Sequence, residues 1–277
     1  MPVISVLWGL TLLTAVSLSL SWSSGVSYGL AHNGIDQAAL NALVEAGVNA
    51  AVDGLLDPKP ERRWRADGRR YQLEFDGTQI GLRVQDELGR IDLNQTDEAM
   101  LNGLLRSAGL DAQVAASMTD KILDWRTATT LKHLNGAKDR DYAAREAVHH
   151  PRNGPFQSVD ELLLVMGMTP AIFARIAPAL TVHSGRQFVD PQFAPREVLR
   201  AMPGTTAQSA EAIVAARDGA DARSGGLEGN PMTALRGRAF TIRTEFPYAS
   251  RMVVGEVAVR LTENPQQPYW VLSWAAR

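Results

Sequence analysis

The histidines and serines are the first residues to weigh for chemistry. His149-His150 runs into Pro151-Arg152-Asn153, which is not the spacing of a zinc-binding helix. His133 has Asp139 and Asp141 downstream, but nothing nearby supplies the nucleophile of a triad. Ser184-Gly185 lacks the strand-turn-helix context of a nucleophile elbow. The chain contains no cysteine, which excludes disulfides, thiolate zinc sites and cysteine nucleophiles. The histidines therefore read as loop or surface residues, and Trp125 of the Asp124-Trp125 pair as a core aromatic. No catalytic set emerges, and no small-molecule substrate is implied.

A binding role for DNA is the alternative function to test. Ala201-Met202-Pro203-Gly204, followed by Ala210 and Ile213, looks like a helix-hairpin-helix, a clamp for the phosphate backbone. Such a clamp wants Gly-x-Gly amides beside Lys or Arg. This unit has one glycine, and its nearest cations are Arg200 and Arg217. Gly167-Met168-Thr169-Pro170 is equally poor in positive charge. With 28 Lys+Arg against 30 Asp+Glu, the net charge of −2 adds no pull toward nucleic acid. Structural packing is favoured, with no nucleic-acid partner.

The elements that would position these residues begin with an uncharged N-terminus. The first formal charge is Asp36. Val3 to Trp22 is apolar over about 20 residues, which at ~1.5 Å per residue spans a bilayer core. The competitors are a cleaved signal peptide, which wants a basic start and a shorter apolar stretch, and a buried core helix. Beyond Asn33-Gly34, Ala38, Ala39, Ala42, Leu43, Ala46, Ala50, Leu55 and Leu56 recur at helical steps, up to Pro58 and Pro60. The simplest reading is one helix from about Pro2 to Leu56, greasy in its first half and amphipathic in its second. A membrane anchor jointed at 31–34 to a separate helix is the other.

Three further blocks follow. Tyr71, Leu73 and Phe75, then Ile80, Leu82 and Val84, alternate around an Asp76-Gly77 turn and predict a hairpin. Residues 95–218 read as helical with a weak threefold repeat of helix, glycine turn and helix. The units are Glu98–Leu101 to Gly109 and Ala115–Ile122; Glu161–Leu163 to Gly167 and Ile172–Ile176; and Glu197–Leu199 to Gly204 and Ala210–Ile213. Residues 218–238 are rich in glycine and charge and read as a linker. Strand character returns with Phe240, Ile242 and Thr244, then Met252, Val254, Val257, Val259 and Leu261, with Gly255 as a bulge, and a return strand from Tyr269. Two separated strand groups can share one antiparallel sheet if the helical block is an insertion, with the long helix packed on that sheet. The expected architecture is α+β: 1–23 membrane part of the helix, 24–94 first part of the sheet domain, 95–218 inserted helical domain, 219–238 linker, 239–277 C-terminal strands.

An ordered series of segments resembles the minor pseudopilin K family of type II secretion systems (general secretion pathway protein K). The series includes VLWGLTLLTAVSLSLS, NALVEAGVNAAVDGLL and Asp86-Glu87-Leu88-Gly89-Arg90-Ile91-Asp92-Leu93-Asn94. It continues with Asp124-Trp125, Asn135-Gly136-Ala137, Asp139 to Tyr142, and Asn153-Gly154-Pro155-Phe156-Gln157-Ser158 to Glu161-Leu162. Ala177-Pro178-Ala179-Leu180-Thr181-Val182 and Ala201-Met202-Pro203-Gly204 complete it. The resemblance implies a pilin-like fold with a large inserted helical domain and no catalytic role. It implies a single-pass anchor in the bacterial inner membrane, the bulk of the chain in the periplasm, and partnership with other minor pseudopilins at the tip of a pseudopilus. It also implies a short basic leader; none precedes the apolar run here, so the first residue is expected to fall within the leader-plus-helix region. Members lack the glutamate near the mature N-terminus that contacts the subunit above; here Ser5 lies near that place and no acidic residue precedes Asp36. Calcium is a further implied ligand, held by carboxylates of a hard oxygen type. The family's acidic loop after Asp-Trp is here Arg126-Thr127-Ala128-Thr129-Thr130, which leaves Asp120, Asp124, Asp139 and Asp141 as the expected ligands.

Overall fold

The computed structural model describes residues 36–145, 149–219 and 231–276. The expected membrane stretch at 3–22 lies outside them. Helix α1, Asp36–Leu56, is long and apolar enough to cross a membrane by length and composition. Its contacts read otherwise. Leu40, Leu43, Val44, Val48, Ala51, Val52 and Leu55 are buried in one core with the sheet, while Asn41, Glu45, Asn49 and Asp53 face out. This is an amphipathic core helix. The stripe expected through the alanines is rotated: Ala38 and Ala42 are exposed, and the valines mark the buried face.

The sheet is antiparallel with strand order β1-β2-β5-β6-β7: β1 Asp67–Phe75, β2 Thr78–Asp86, β5 Ala239–Tyr248, β6 Arg251–Asn264 and β7 Gln267–Ala276. The β1–β2 turn is the expected two-residue one, with Asp76 and Gly77 both at positive φ, as a mirror-type hairpin turn needs. Strands β2 and β5 are direct neighbours, pairing Asp86 with Phe240 and Gly81 with Glu245. Everything between them is an excursion from one sheet. Gly255 is no bulge. It pairs in register with Thr244, and a Cβ there would lie 2.5 Å from Thr244 Oγ1 and 2.6 Å from Val44. The bulge falls further along, where β6 pairs with β7 around Ala258 and Val259. Gly255 instead lets α1 approach the sheet closely.

The excursion has its own core, which begins at Ile91 and Leu93 rather than at residue 95. It contains α2 Glu98–Ser107, α3 Ala112–Arg126, α4 Asp139–Ala143, a 3₁₀ segment Val159–Leu164, α5 Pro170–Ile176, α6 Arg196–Ala201 and α7 Ala207–Gly219. The three repeats are present, and Gly109, Gly167 and Gly204 at their joints have φ of 91°, 88° and 78°. Only glycine takes that conformation at little cost. A two-residue parallel pairing of β3, Ile91–Asp92, with β4, Leu180–Thr181, crosses the block; nothing in so short a run announces a strand. Inside the segment expected to be a linker, 219–238, α8, Pro231–Ala234, leads into Leu235, which is buried in the sheet core, so from residue 231 on this stretch packs as part of the sheet domain.

Candidate functional site

Two sites hold the residues that the sequence singled out: an aspartate loop on the helical block, and a neck where that block joins the sheet. The loop is built on α3. Asp120 and Asp124 sit four positions apart on it, so their side chains leave from one face. Asp124 is fully buried and accepts from the His133 backbone N–H at 3.2 Å, and its Oδ1 lies 2.7 Å from His133 Nδ1. Asp120 accepts from Asn135 N and Nδ2 at 2.9 and 3.2 Å. Gly136 follows because a Cβ there would fall 1.8 Å from Asp124 Oδ2. Asp139 accepts from Asn153 Nδ2 at 3.2 Å. Asp141 accepts from Lys132 Nζ at 2.7 Å and from the Lys138 N–H at 3.0 Å. Those two donors, the Lys132 ammonium first, hold its carboxyl below the usual carboxylate range.

At the centre of this network is a residue that no sequence motif marks. Lys138 is buried, and its ammonium donates to Asp124 O at 2.5 Å, to Thr127 O, and to Asn153 Oδ1 at 3.2 Å. Burial lowers its pKa, against the pull of Asp124 and Asp139. The four aspartates thus share one neighbourhood, but each carboxylate is met by a donor from the chain. Among the described residues no group of three or more His, Asp or Glu side chains is placed to hold a metal ion. This donor arrangement does not fit a calcium shell of six to eight oxygens.

Aromatic packing roofs the loop. Trp125 is buried, its ring 6.0 Å from Tyr142 and 6.2 Å from Phe156. Glu161 accepts from Arg152 Nε at 2.6 Å, from Gln157 N at 2.8 Å and from Trp125 Nε1 at 3.4 Å. His149 stands edge-on to the Tyr142 ring, 6.0 Å between centres, and its Nε2 lies 2.8 Å from Leu164 O; no nucleophile is among these contacts. Ser184 donates its hydroxyl to buried Asp92 at 3.1 Å, a structural bond.

The neck is made by Asp86-Glu87-Leu88-Gly89-Arg90-Ile91-Asp92-Leu93-Asn94. Buried Asp86 ends β2, caps the following 3₁₀ turn through Leu88 N at 2.9 Å, and pairs with Arg238, the residue before β5. Burial pushes the Asp86 carboxyl up to about 6, opposed by Arg238 and the Leu88 N–H. Arg238 is itself stacked on Phe193, 4.9 Å from the ring centre. Glu87 is buried with Arg90 at 3.2 Å. Asn94 exchanges two hydrogen bonds with Phe156, Oδ1 from its N–H at 2.7 Å and Nδ2 to its carbonyl at 2.9 Å. That exchange ties the neck to the Asn-Gly-Pro-Phe segment.

The DNA-clamp residues are otherwise engaged. Arg200 pairs with Glu211 at 2.7 Å, and Arg217 donates to Ala194 O at 2.9 Å. Neither is presented to a phosphate.

The fold is pilin-like with an inserted helical block, and the neck segment 86–94 and the aspartate loop lie in the stretch that matches a family model. Residues 82–185 match the family model for type II secretion system (T2SS), protein K. Type II secretion system protein K of Klebsiella pneumoniae is 28% identical over 154 residues, covering 50% of this chain and 47% of that protein. The Dickeya chrysanthemi protein of that name is 35% identical over 74 residues, covering 27% of this chain and 20% of the relative. The Aeromonas hydrophila one is 26% identical over 139 residues, covering 49% and 42%. The chain spans about half the length, or less, of these curated relatives. Among solved structures, the GspK-GspI-GspJ complex from the enterotoxigenic Escherichia coli type 2 secretion system contains a chain with TM-score 0.62 and 14% identity. The match covers 91% of this chain and 99% of that one. Over residues 82–185 the chain is thus similar to type II secretion system protein K, and its fold is similar to that of a chain in the solved complex.

Proposed function

We propose that this chain is a minor pseudopilin that caps, and helps to initiate, the periplasmic pseudopilus of a type II secretion system, supporting protein export across the outer membrane. The observation that carries the reading is where the helical block attaches. Tyr248 OH lies 3.0 Å from Asp36 at the start of α1, and Gly47 lies against Thr244 near its middle. Near its end, Gly54 O accepts from Trp64 N, and Ala66 O accepts from Asp86 N. The insert therefore leaves the sheet at the end away from residue 36. A subunit held from its N-terminal side would carry this block outermost, where another copy would have to stack. A bulky end of that kind suits a cap, and the role needs no covalent chemistry.

Residues 3–22 would anchor the chain in the inner membrane by a single pass, with their backbone hydrogen bonds kept inside the helix. Other minor pseudopilins would pack along the N-terminal helix, where Ser, Gly and Ala permit close approach. Exposed Ala38 and Ala42 continue that small-residue surface onto α1. The test is co-production of the full chain with candidate minor pseudopilins. Recovery of one assembly from the membrane fraction is expected. Leu12→Asp, which places a carboxylate near mid-bilayer at about 3 kcal/mol, should abolish both membrane residence and co-assembly. Normal recovery of that variant would refute the reading.

A further inference from the structure

We infer that the Lys138 ammonium is the built-in cation of the aspartate loop, so that this loop is held without calcium. An ammonium has three protons to donate. Lys138 uses them on three oxygens, the carbonyls of Asp124 and Thr127 and the side-chain oxygen of Asn153. Carbonyl and amide oxygens of this kind are the neutral ligands a hard divalent cation takes. They converge here from three places in the chain: the last turn of α3, the loop after it, and the segment leading to Phe156. Gathering them is the work of an ion, and a side chain does it.

The carboxylates that would complete a calcium shell are directed elsewhere. Asp124 is taken by His133, Asp120 by Asn135, Asp139 by Asn153, and Asp141 by Lys132 and the Lys138 N–H. Residues 127–130, Thr-Ala-Thr-Thr, supply no acid. A dication entering the cage would also meet a like charge at contact distance, which is unfavourable in a partly buried setting. The inference rests on the loop alone and stands or falls apart from the capping role.

The experiment is thermal unfolding of the full chain in detergent, in excess chelator and in millimolar calcium. The midpoint is expected to be unchanged between the two. A rise of several degrees with calcium, reversed by the chelator, would overturn the inference, and this arm uses the unaltered protein. A second arm compares Lys138→Met with Lys132→Met, which removes the same charge from an exposed position. Lys138→Met leaves three oxygens without their donor and is expected to lower the midpoint by about 5 °C. Lys132→Met should move it by about a degree at most. Equal midpoints for the two variants would count against Lys138 as the organising cation.

Discussion

Gly136 shows how little freedom the aspartate loop has. Its missing side chain is the space that the Asp124 carboxylate occupies. Gly136→Ala is expected to destabilise the protein by about 1–3 kcal/mol, through displacement of Asp124 from His133, measurable by urea denaturation. The Asp86–Arg238 pair makes a prediction with a pH signature. The folded state holds the Asp86 proton more tightly than an unfolded chain would, since its value rises from 3.8 to about 6. The stabilisation from this group is therefore full below 3.8 and is lost as pH rises through about 6. Arg238→Met leaves the carboxylate buried without its partner. It should cost about 3–5 kcal/mol at neutral pH and clearly less at pH 5, where Asp86 can take up a proton. A penalty of equal size at both would contradict this account. The four aspartates stand out as a group through the family resemblance rather than through their spacing. The sequence hides Lys138, which is an ordinary lysine until the fold brings three oxygens to it. It hides Arg238 as well, whose partner is 152 positions away.

At the scale of elements, periodicity and turn chemistry did most of the work. The Asp76-Gly77 hairpin and the three glycine joints follow from local conformational preference, so one sequence suffices to see them. Alanine fits either side of a helix, so the alanine stripe does not fix the buried face of α1. The β-branched Val44, Val48 and Val52, one turn apart, carry the decisive signal, and all three are buried against the sheet. A bulge and a close approach leave the same mark in a strand, so Gly255 in the sequence does not separate the two. Gly255→Val should force α1 away from β5 and β6 and destabilise the sheet domain by about 3 kcal/mol, while the helical block, with its separate core, keeps its own protection in hydrogen exchange. Asn94→Ala would act at the junction between elements. It strips both hydrogen bonds from the Phe156 backbone, and a loss of about 1–3 kcal/mol is expected in the same denaturation assay.

For the whole molecule, the decisive feature is that β2 and β5 are neighbours in space. The order of strand and helix blocks was readable from periodicity, and the adjacency was inferable from it. The clasp at the neck was not, because it depends on side chains that meet only after the excursion returns. If the block is an appendage to the sheet, replacing residues 88–233 by a short linker, which keeps Leu235 in the sheet core, should leave a folded protein and, on the proposed capping role, one that still joins the pseudopilus. It should fail to limit filament growth, and longer filaments seen by electron microscopy are the expected result. The same adjacency bears on how the protein is made. Synthesis delivers β2 first, with one side bare, and its mate emerges about 150 residues later, roughly 8–30 s at ordinary elongation rates. Closing a chain of that length costs about 4 kcal/mol in entropy if it is still unstructured. Early collapse of the helical block onto its own core would bring its two ends together in advance and shorten that wait. The vulnerable moment of this protein's life is thus the interval when a half-finished sheet stands with an open flank, and the speed of the insert's own folding decides how long it lasts.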